Sequence, residues 1–338
     1  MKHVSILVPK KNAVLSSIVG PYKIFSAVNQ FMESRTDRKT PFFDIHLVGI
    51  EPNTALYQGA FSIHCDRILD EIDKTDLIII PACTPHTLEK DLQENYDFVP
   101  WIKRQRERNS TEVASFCLGA FLLAETGLVN GKRCTTHWAG MEMFRKLYPK
   151  VHLISNKVVT DEDGIYTSGG AYSFLNLLLH LVDKYCGRET AIYISKFFEI
   201  EIDRDNQNQF AIFQGQKDHE DEAVKKAQQY IEGNVSQKIT VEQLAEKYAI
   251  SRRNFVRRFK KATQNTPSEY IQRVKVEAAK KNLESTQYNV NEVMNKVGYI
   301  DQKAFRTVFK KYVGLSPFAY RGKYNRKALE FGENLTAW

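Results

Sequence analysis

Residues Val113–Glu125 read VASFCLGAFLLAE. An apolar run meets a lone cysteine, then a small-residue step, then a second apolar run. The pattern predicts a buried strand, Val113–Phe116, that turns at Cys117 into a helix, Leu118–Thr126. The flanking sequence repeats this alternation. Val4–Val8, Phe43–Val48 and Leu77–Ile80 read as buried strands, and helical stretches such as Tyr22–Glu33 and Pro100–Arg108 lie between them. Strands alternating with helices predict a doubly wound α/β domain, a mostly parallel sheet covered on both faces. Ligands of such sheets bind at the carboxyl ends of the strands. Cys117 falls on that edge.

The position has chemical consequences. The first amides of a helix are unpaired and its N-terminus is partly positive. Both effects favour a thiolate or a bound anion, so the turn predicts a thiol of lowered pKa in a ligand pocket. Gly119 lets the turn tighten. Two motifs extend the reading: ASFCLGAFLLAETGLVNGKRCTTHW (Ala114–Trp138) and YTSGG (Tyr166–Gly170). They resemble the class I glutamine amidotransferase-like superfamily, of flavodoxin-like fold, in its PfpI-protease-like branch. The likeness covers roughly residues 1–200 and puts Cys117 and His137 at the nucleophile and histidine positions. Enzymes of that superfamily add a carboxylate after the first strand or two residues beyond the histidine. Here the first acidic residue is Glu33, and Ala139 stands two after His137. A glycine-rich oxyanion loop is implied near residue 81, where this chain has PACTPH. The resemblance therefore implies catalytic impairment, with no catalytic residue assigned. Cys117, Leu118, Gly119, His137 and Trp138 become candidates for binding a small metabolite. Thr135, Thr136, Ser168, Gly169 and His86 are weaker ones.

Charge divides the chain. Residues 1–218 hold 25 Lys and Arg against 27 Asp and Glu; residues 219–338 hold 23 against 13. A strongly basic third joined to a neutral remainder fits a module that binds nucleic acid or an acidic surface, and by charge alone equally a soluble basic domain. That third also contains a repeat. Val241–Ile271 aligns with Val290–Arg321 at an offset of 49, then 50 after one inserted residue. Phe255/Phe305, Phe259/Phe309, Lys260/Lys310, Lys261/Lys311, Pro267/Pro317 and Tyr270/Tyr320 are identical pairs. Each copy predicts two short helices, with Ser251 and Asp301 capping the second. That second helix has an apolar back, Phe255 and Phe259 or Phe305 and Phe309. Its front is basic: Arg253, Arg257 and Lys260, or Lys303, Arg306 and Lys310. This is the helix-turn-helix pattern, whose second helix enters the DNA major groove. One long helix, Pro267–Glu284, would space the units for successive grooves ~34 Å apart.

The second unit, VGYIDQKAFRTVFKKYVGLSPFAYR, resembles the signature of AraC-type DNA-binding domains, with Ile300 and Asp301 where serine is more usual. By that likeness Arg252, Arg253, Asn254 and Arg257, then Gln302, Lys303 and Arg306, contact bases or phosphates. Lys260, Lys261, Lys310 and Lys311 are expected on phosphates, because lysine is a flexible point charge.

No apolar run approaches the ~18 residues of a membrane span. The five cysteines form no CxxC pair and no cluster with histidine, which argues against disulfides or zinc and for a reducing cytoplasm. The expected organisation is a sensor domain over 1–202, a linker over 203–218, an all-α domain with two helix-turn-helix units over 219–322, and a tail over 323–338. The linker stretch DRDNQNQFAIFQG is polar and aperiodic; the tail offers at most one helix near Arg326–Phe331. The two likenesses together match the GlxA-like regulators. They imply a cytoplasmic transcription regulator whose partners are double-stranded DNA, a small-molecule effector near Cys117 and a second copy of itself. RNA polymerase is a candidate partner; no cofactor, metal or membrane is implied. The alternatives are a cysteine hydrolase or amidase tethered to DNA, and a thiol redox sensor built on a low-pKa Cys117.

Overall fold

A computed structural model describes residues 1–35, 40–84, 88–202, 204 and 206–325. The chain divides into two compact units, Met1–Gln207 and a second that begins at Asn208. The first runs β1 (Lys2–Val8), α1 (Ser16–Arg35), β2 (Phe43–Gly49), β3 (Asn53–Leu56), β4 (Phe61–His64), β5 (Arg67–Ile68), β6 (Leu77–Ile80), α2 (Leu88–Glu94), α3 (Phe98–Asn109) and β7 (Glu112–Phe116). It continues with α4 (Gly119–Glu125), β8 (Arg133–Cys134), α5 (Met141–Leu147), β9 (His152–Leu153), β10 (Val159–Glu162), β11 (Ile165–Ser168), α6 (Phe174–Cys186) and α7 (Arg188–Phe197).

Seven strands make one sheet in the order β10-β11-β7-β6-β1-β2-β5, parallel except between β10 and β11. Strands buried on both faces are continuously apolar. The run Leu77–Ile80 is of this kind, with all four residues buried. Helix α6 is core rather than surface: Leu177, Leu178, Leu181 and Val182 are fully buried. The order reverses between β1 and β6, and the loops after these strands are stitched together at the carboxyl edge. Val14 donates to the Ala82 carbonyl (2.8 Å) and Thr84 to that of Asn12 (3.2 Å). The Ala82 amide in turn donates to the Ser17 hydroxyl (2.9 Å).

The second unit holds α8 (Glu222–Gly233), α9 (Val241–Lys247), α10 (Arg252–Thr263), α11 (Pro267–Ser285), α12 (Val290–Lys296), α13 (Gln302–Val313) and α14 (Pro317–Tyr324). The sequence repeat is a structural repeat. Phe255 and Phe259 lie 5.6 Å apart between centroids, Phe305 and Phe309 5.8 Å. Tyr270 meets Phe259 edge-on at 5.3 Å, and Tyr320 meets Phe309 edge-on at 5.6 Å. Helix α11 serves both cores: Tyr270 and Ile271 lie in the first, Val276, Ala279 and Leu283 in the second. A capping box of Thr266 and Glu269, with Pro267 following, starts it. Asp301 caps α13 by accepting from the Ala304 amide (3.0 Å). Ser251 occupies the matching position of α10, yet its side chain makes no capping bond.

Lys275 of α11 is 6% exposed, and its Nζ donates to the carbonyls of Val235 (2.9 Å), Gln237 (2.9 Å) and Val297 (2.8 Å). It thereby ties the segment before α9 to the turn between α12 and α13. Part of the stretch expected as a linker packs against the helices. Phe213 stacks edge-on against Tyr270 at 5.2 Å, and Lys280 Nζ donates to the Ala211 carbonyl at 2.7 Å. The aromatic residue among the polar ones draws this segment onto the helices. The tail stretch Arg326–Phe331 lies outside the described residues.

Candidate ligand site and nucleic-acid interface

Between β7 and α4, Cys117 holds φ at 55°, a left-handed value uncommon outside glycine. Both of its backbone groups are fixed. The amide donates to the Ser168 carbonyl (3.0 Å), and the carbonyl accepts from the Thr136 hydroxyl (2.8 Å). A Cβ on Gly119 would lie 2.4 Å from the Pro81 carbonyl oxygen. Glycine is therefore needed where the helix start crosses the loop after β6. The result is the strained strand–turn–helix elbow that mounts nucleophiles in hydrolases.

The thiol itself departs from expectation. It is 5% exposed, and burial pushes its pKa up to about 12 against a weaker pull from the Leu118 amide. The expected low-pKa thiol is corrected. One amide does not offset desolvation, and among the described residues no cation does. Cys83 is likewise raised by burial and then by the neighbouring Cys117.

His137 is half-buried, and burial lowers its pKa. Its Nδ1 accepts the Ala139 amide at 3.1 Å. An accepting Nδ1 leaves the proton of the neutral ring on Nε2, so the remaining ring nitrogen donates and does not act as a base. No hydrogen bond joins Cys117 and His137 among the described residues. Trp138 lies tilted against the imidazole, centroids 5.1 Å apart. Leu118 is buried against Gly140, whose added Cβ would lie 2.5 Å from Leu118 Cδ2. Thr135, Thr136 and Ser168 are fully buried, and the Ser168 hydroxyl has no partner. His86 lies outside the described residues.

Gln207, the last residue of the first unit, escaped the sequence reading. It is 1% exposed. Its Nε2 donates to the Thr135 hydroxyl (3.0 Å) and to the carbonyls of Lys157 (3.0 Å) and Thr136 (3.3 Å). Its Oε1 accepts the Gly170 amide at 3.1 Å. A Cβ on Gly169 would lie 2.4 Å from Oε1, so Gly169 leaves room for this side chain. The polar cradle formed by the Thr135–Thr136 and Gly169–Gly170 segments already holds an amide of the chain itself. A glutamine within DNQNQ carries no local signal of burial.

In the second unit Arg253, Arg257, Lys260 and Lys261 on α10 are exposed, as are Gln302, Lys303, Arg306, Lys310 and Lys311 on α13. Asn254 is half-buried and accepts from Arg257 Nη2 at 2.9 Å. Arg252 is exposed but paired to Glu242 at 2.6 Å, and Gln302 donates to Asn291 at 2.9 Å. Arg258 on α10 points elsewhere. It forks onto Asp221 (2.8 and 2.6 Å), which also caps α8.

The DJ-1/PfpI family profile matches residues 20–184, and a helix-turn-helix domain profile matches residues 244–323. The HTH-type transcriptional regulator GbdR of Pseudomonas aeruginosa is 24% identical over 284 residues, 80% of this chain and 73% of that protein. CdhR of the same species, also an HTH-type transcriptional regulator, is 25% identical over 290 residues, 84% of this chain and 83% of that protein. Isonitrile hydratase of Pseudomonas putida is 24% identical over 175 residues, 52% of this chain and 68% of that protein. A crystal structure from Vibrio parahaemolyticus matches 58% of this chain and 98% of its own, with TM-score 0.51 and 21% identity, and shows the shared fold.

Proposed function

The chain joins a DJ-1/PfpI domain to an AraC-type helix-turn-helix domain, and from that premise we propose that it is a DNA-binding transcription regulator whose α/β unit senses a small molecule. The observation that carries the reading is the structural repeat. Two helical pairs with matching Phe–Phe–Tyr packing each present an exposed cationic face on the side of the second helix opposite its buried phenylalanines. Arg252, Arg253, Asn254, Arg257, Gln302, Lys303 and Arg306 are assigned to bases or phosphates, and Lys260, Lys261, Lys310 and Lys311 to phosphates. Binding as a pair of copies on a symmetric operator, and contact with RNA polymerase, belong to the same reading. Among the described residues no helix is long and apolar enough to cross a membrane.

Sensing is assigned to the Cys117 elbow and the cradle beside it. A polar ligand competing with the Gln207 amide for Thr135, Thr136 and Gly170 would act on the residue that immediately precedes the DNA-binding unit. Such a ligand need only prefer one arrangement by about 1–3 kcal/mol. Three observations speak against turnover: a thiol raised to about 12, an imidazole whose Nδ1 is taken, and Ala139 where the superfamily's carboxylate would stand. The test uses the full chain. Selection from a random duplex pool should yield a preferred sequence with two protected segments about one helical turn apart. Metabolites that raise the unfolding midpoint should also change duplex affinity. Cys117-dependent turnover of an amide, ester or isonitrile panel, without any preferred duplex, would overturn the proposal.

A further inference from the structure

Ile300 is 91% exposed; among the described residues the next most exposed large apolar side chain is Tyr172 at 63%. A lone apolar residue on a surface is ordinary, so its place in the repeat is what matters. Up to Ile250 and Tyr299 the two units align at an offset of 49. Ala249 and Gly298 both take a left-handed φ, 51° and 71°. The next amides, of Ile250 and Tyr299, both reach back to the helix, onto Ala245 (2.9 Å) and Met294 (3.0 Å). From Ser251 and Asp301 onward the offset is 50. Ile300 is thus the one residue of the second turn without a counterpart.

The fold does not need it. The first unit makes the same turn, reaches the same cap position and packs the same phenylalanine pair without it. Tyr299, not Ile300, enters the second core, with its ring 5.5 Å from Phe305. The insertion leaves one branched apolar side chain in water, one residue before the cap of α13, beside exposed Gln302, Lys303 and Arg306. The N-terminal residues of a recognition helix are those that meet base edges. Thymine alone displays a methyl group in the major groove, and it is read by apolar contact.

We infer that Ile300 is a specificity-determining residue that closes on the 5-methyl group of a thymine beneath the second unit. The inference rests on the DNA-binding reading above. It is tested with the full chain and a duplex enriched from a random pool. Each thymine in turn is replaced by uracil, which keeps the hydrogen-bonding groups and lacks the methyl. At one position the exchange should weaken binding about fourfold, the worth of one methyl group withdrawn from water. Ile300→Ser should bind the parent duplex about fourfold more weakly and be indifferent to uracil there. Its unfolding midpoint should stay put, because the side chain is exposed. Its affinity for unrelated duplex and its salt dependence should also stay, because no phosphate contact is removed. Uracil tolerated at every position, or Ile300→Ser retaining the discrimination, overturns the inference while leaving DNA binding intact. A chain that retains no duplex at low salt overturns both.

Discussion

Gly298→Ala should destabilise the helical unit by about 2.5–5 kcal/mol. An L-residue held in the left-handed region costs about 1–2 kcal/mol, and Gly298 sits at φ 71°. The added methyl would lie 2.4 Å from the Ser236 carbonyl oxygen and 2.6 Å from Lys275 Nζ. Neither neighbour yields freely. Ser236 is backbone, and Lys275 is pinned between carbonyls of Val235, Gln237 and Val297. Moving Lys275 far enough to lose one bond to its ammonium costs about 1.5–3 kcal/mol more. The repeat supplies the control. Ala249 holds the same turn position at φ 51°, so Ala249→Gly should stabilise by up to about 1 kcal/mol. Urea unfolding of the full chain separates the effects by unit. In a Trp338→Phe background, fluorescence of Trp101 and Trp138 follows the α/β unit, and circular dichroism at the helical band follows both. The expected result is a large loss confined to the helical transition for Gly298→Ala and a small gain for Ala249→Gly. A loss under about 1 kcal/mol, or the same sign for both, would refute the geometry of the turn.

Three further outcomes follow from the first unit. With its pKa near 12, Cys117 should alkylate about three orders of magnitude more slowly than free cysteine at pH 8; rapid labelling in peptide mapping would restore the redox reading. Gln207→Ala removes every bond of the cradle amide and should cost the α/β transition about 2–3 kcal/mol; an unchanged midpoint would show that the amide is not structural. Burial alone would raise Glu112, but hydrogen bonds from Tyr166, Tyr185 and Lys184 prevail and hold it at about 2. A carboxylate depressed on folding contributes stability fully above the unfolded pKa of ~4.3 and loses it as pH falls towards the folded value, here roughly 3 kcal/mol. Glu112→Gln should therefore lower stability at pH 7 and flatten the acid limb between pH ~4.3 and 2, and an unaltered acid limb would contradict that.

What the sequence made legible was whatever repeats or keeps a local period. The strands Leu77–Ile80 and Val113–Phe116 stand where their apolar runs lie, and the Phe–Phe–Tyr triads of the two helical pairs adopt matching geometry because the same residues recur at the same spacing. Long-range consequences were not legible. The charge state of Cys117 depends on its burial among residues distant in sequence, Cys83 among them, which no window around residue 117 contains. The role of His137 turns on a local bond that no periodicity reports, from the amide of Ala139 two residues on. Lys275 reads as one more solvated cation of a basic helix until the turn after α12 is folded against it, and Gln207 reads as solvent-facing until strand and turn segments far upstream gather around its amide.

The claim on which the rest depends is that both cationic helices engage one duplex. The most direct measurement is duplex affinity against salt concentration. Each phosphate neutralised contributes about −0.9 to the slope of log K against log salt. For each bound copy, the exposed cations Arg253, Arg257, Lys260 and Lys261, with Lys303, Arg306, Lys310 and Lys311, set a limit near −7, and one helix-turn-helix unit alone a limit of roughly −3.5. The account predicts a slope steeper than about −4 per bound copy of the full chain, falling by at least ~2 per copy when Lys303, Arg306 and Lys310 are replaced by alanine. A flat response, or a slope that the triple substitution leaves unchanged, would contradict it.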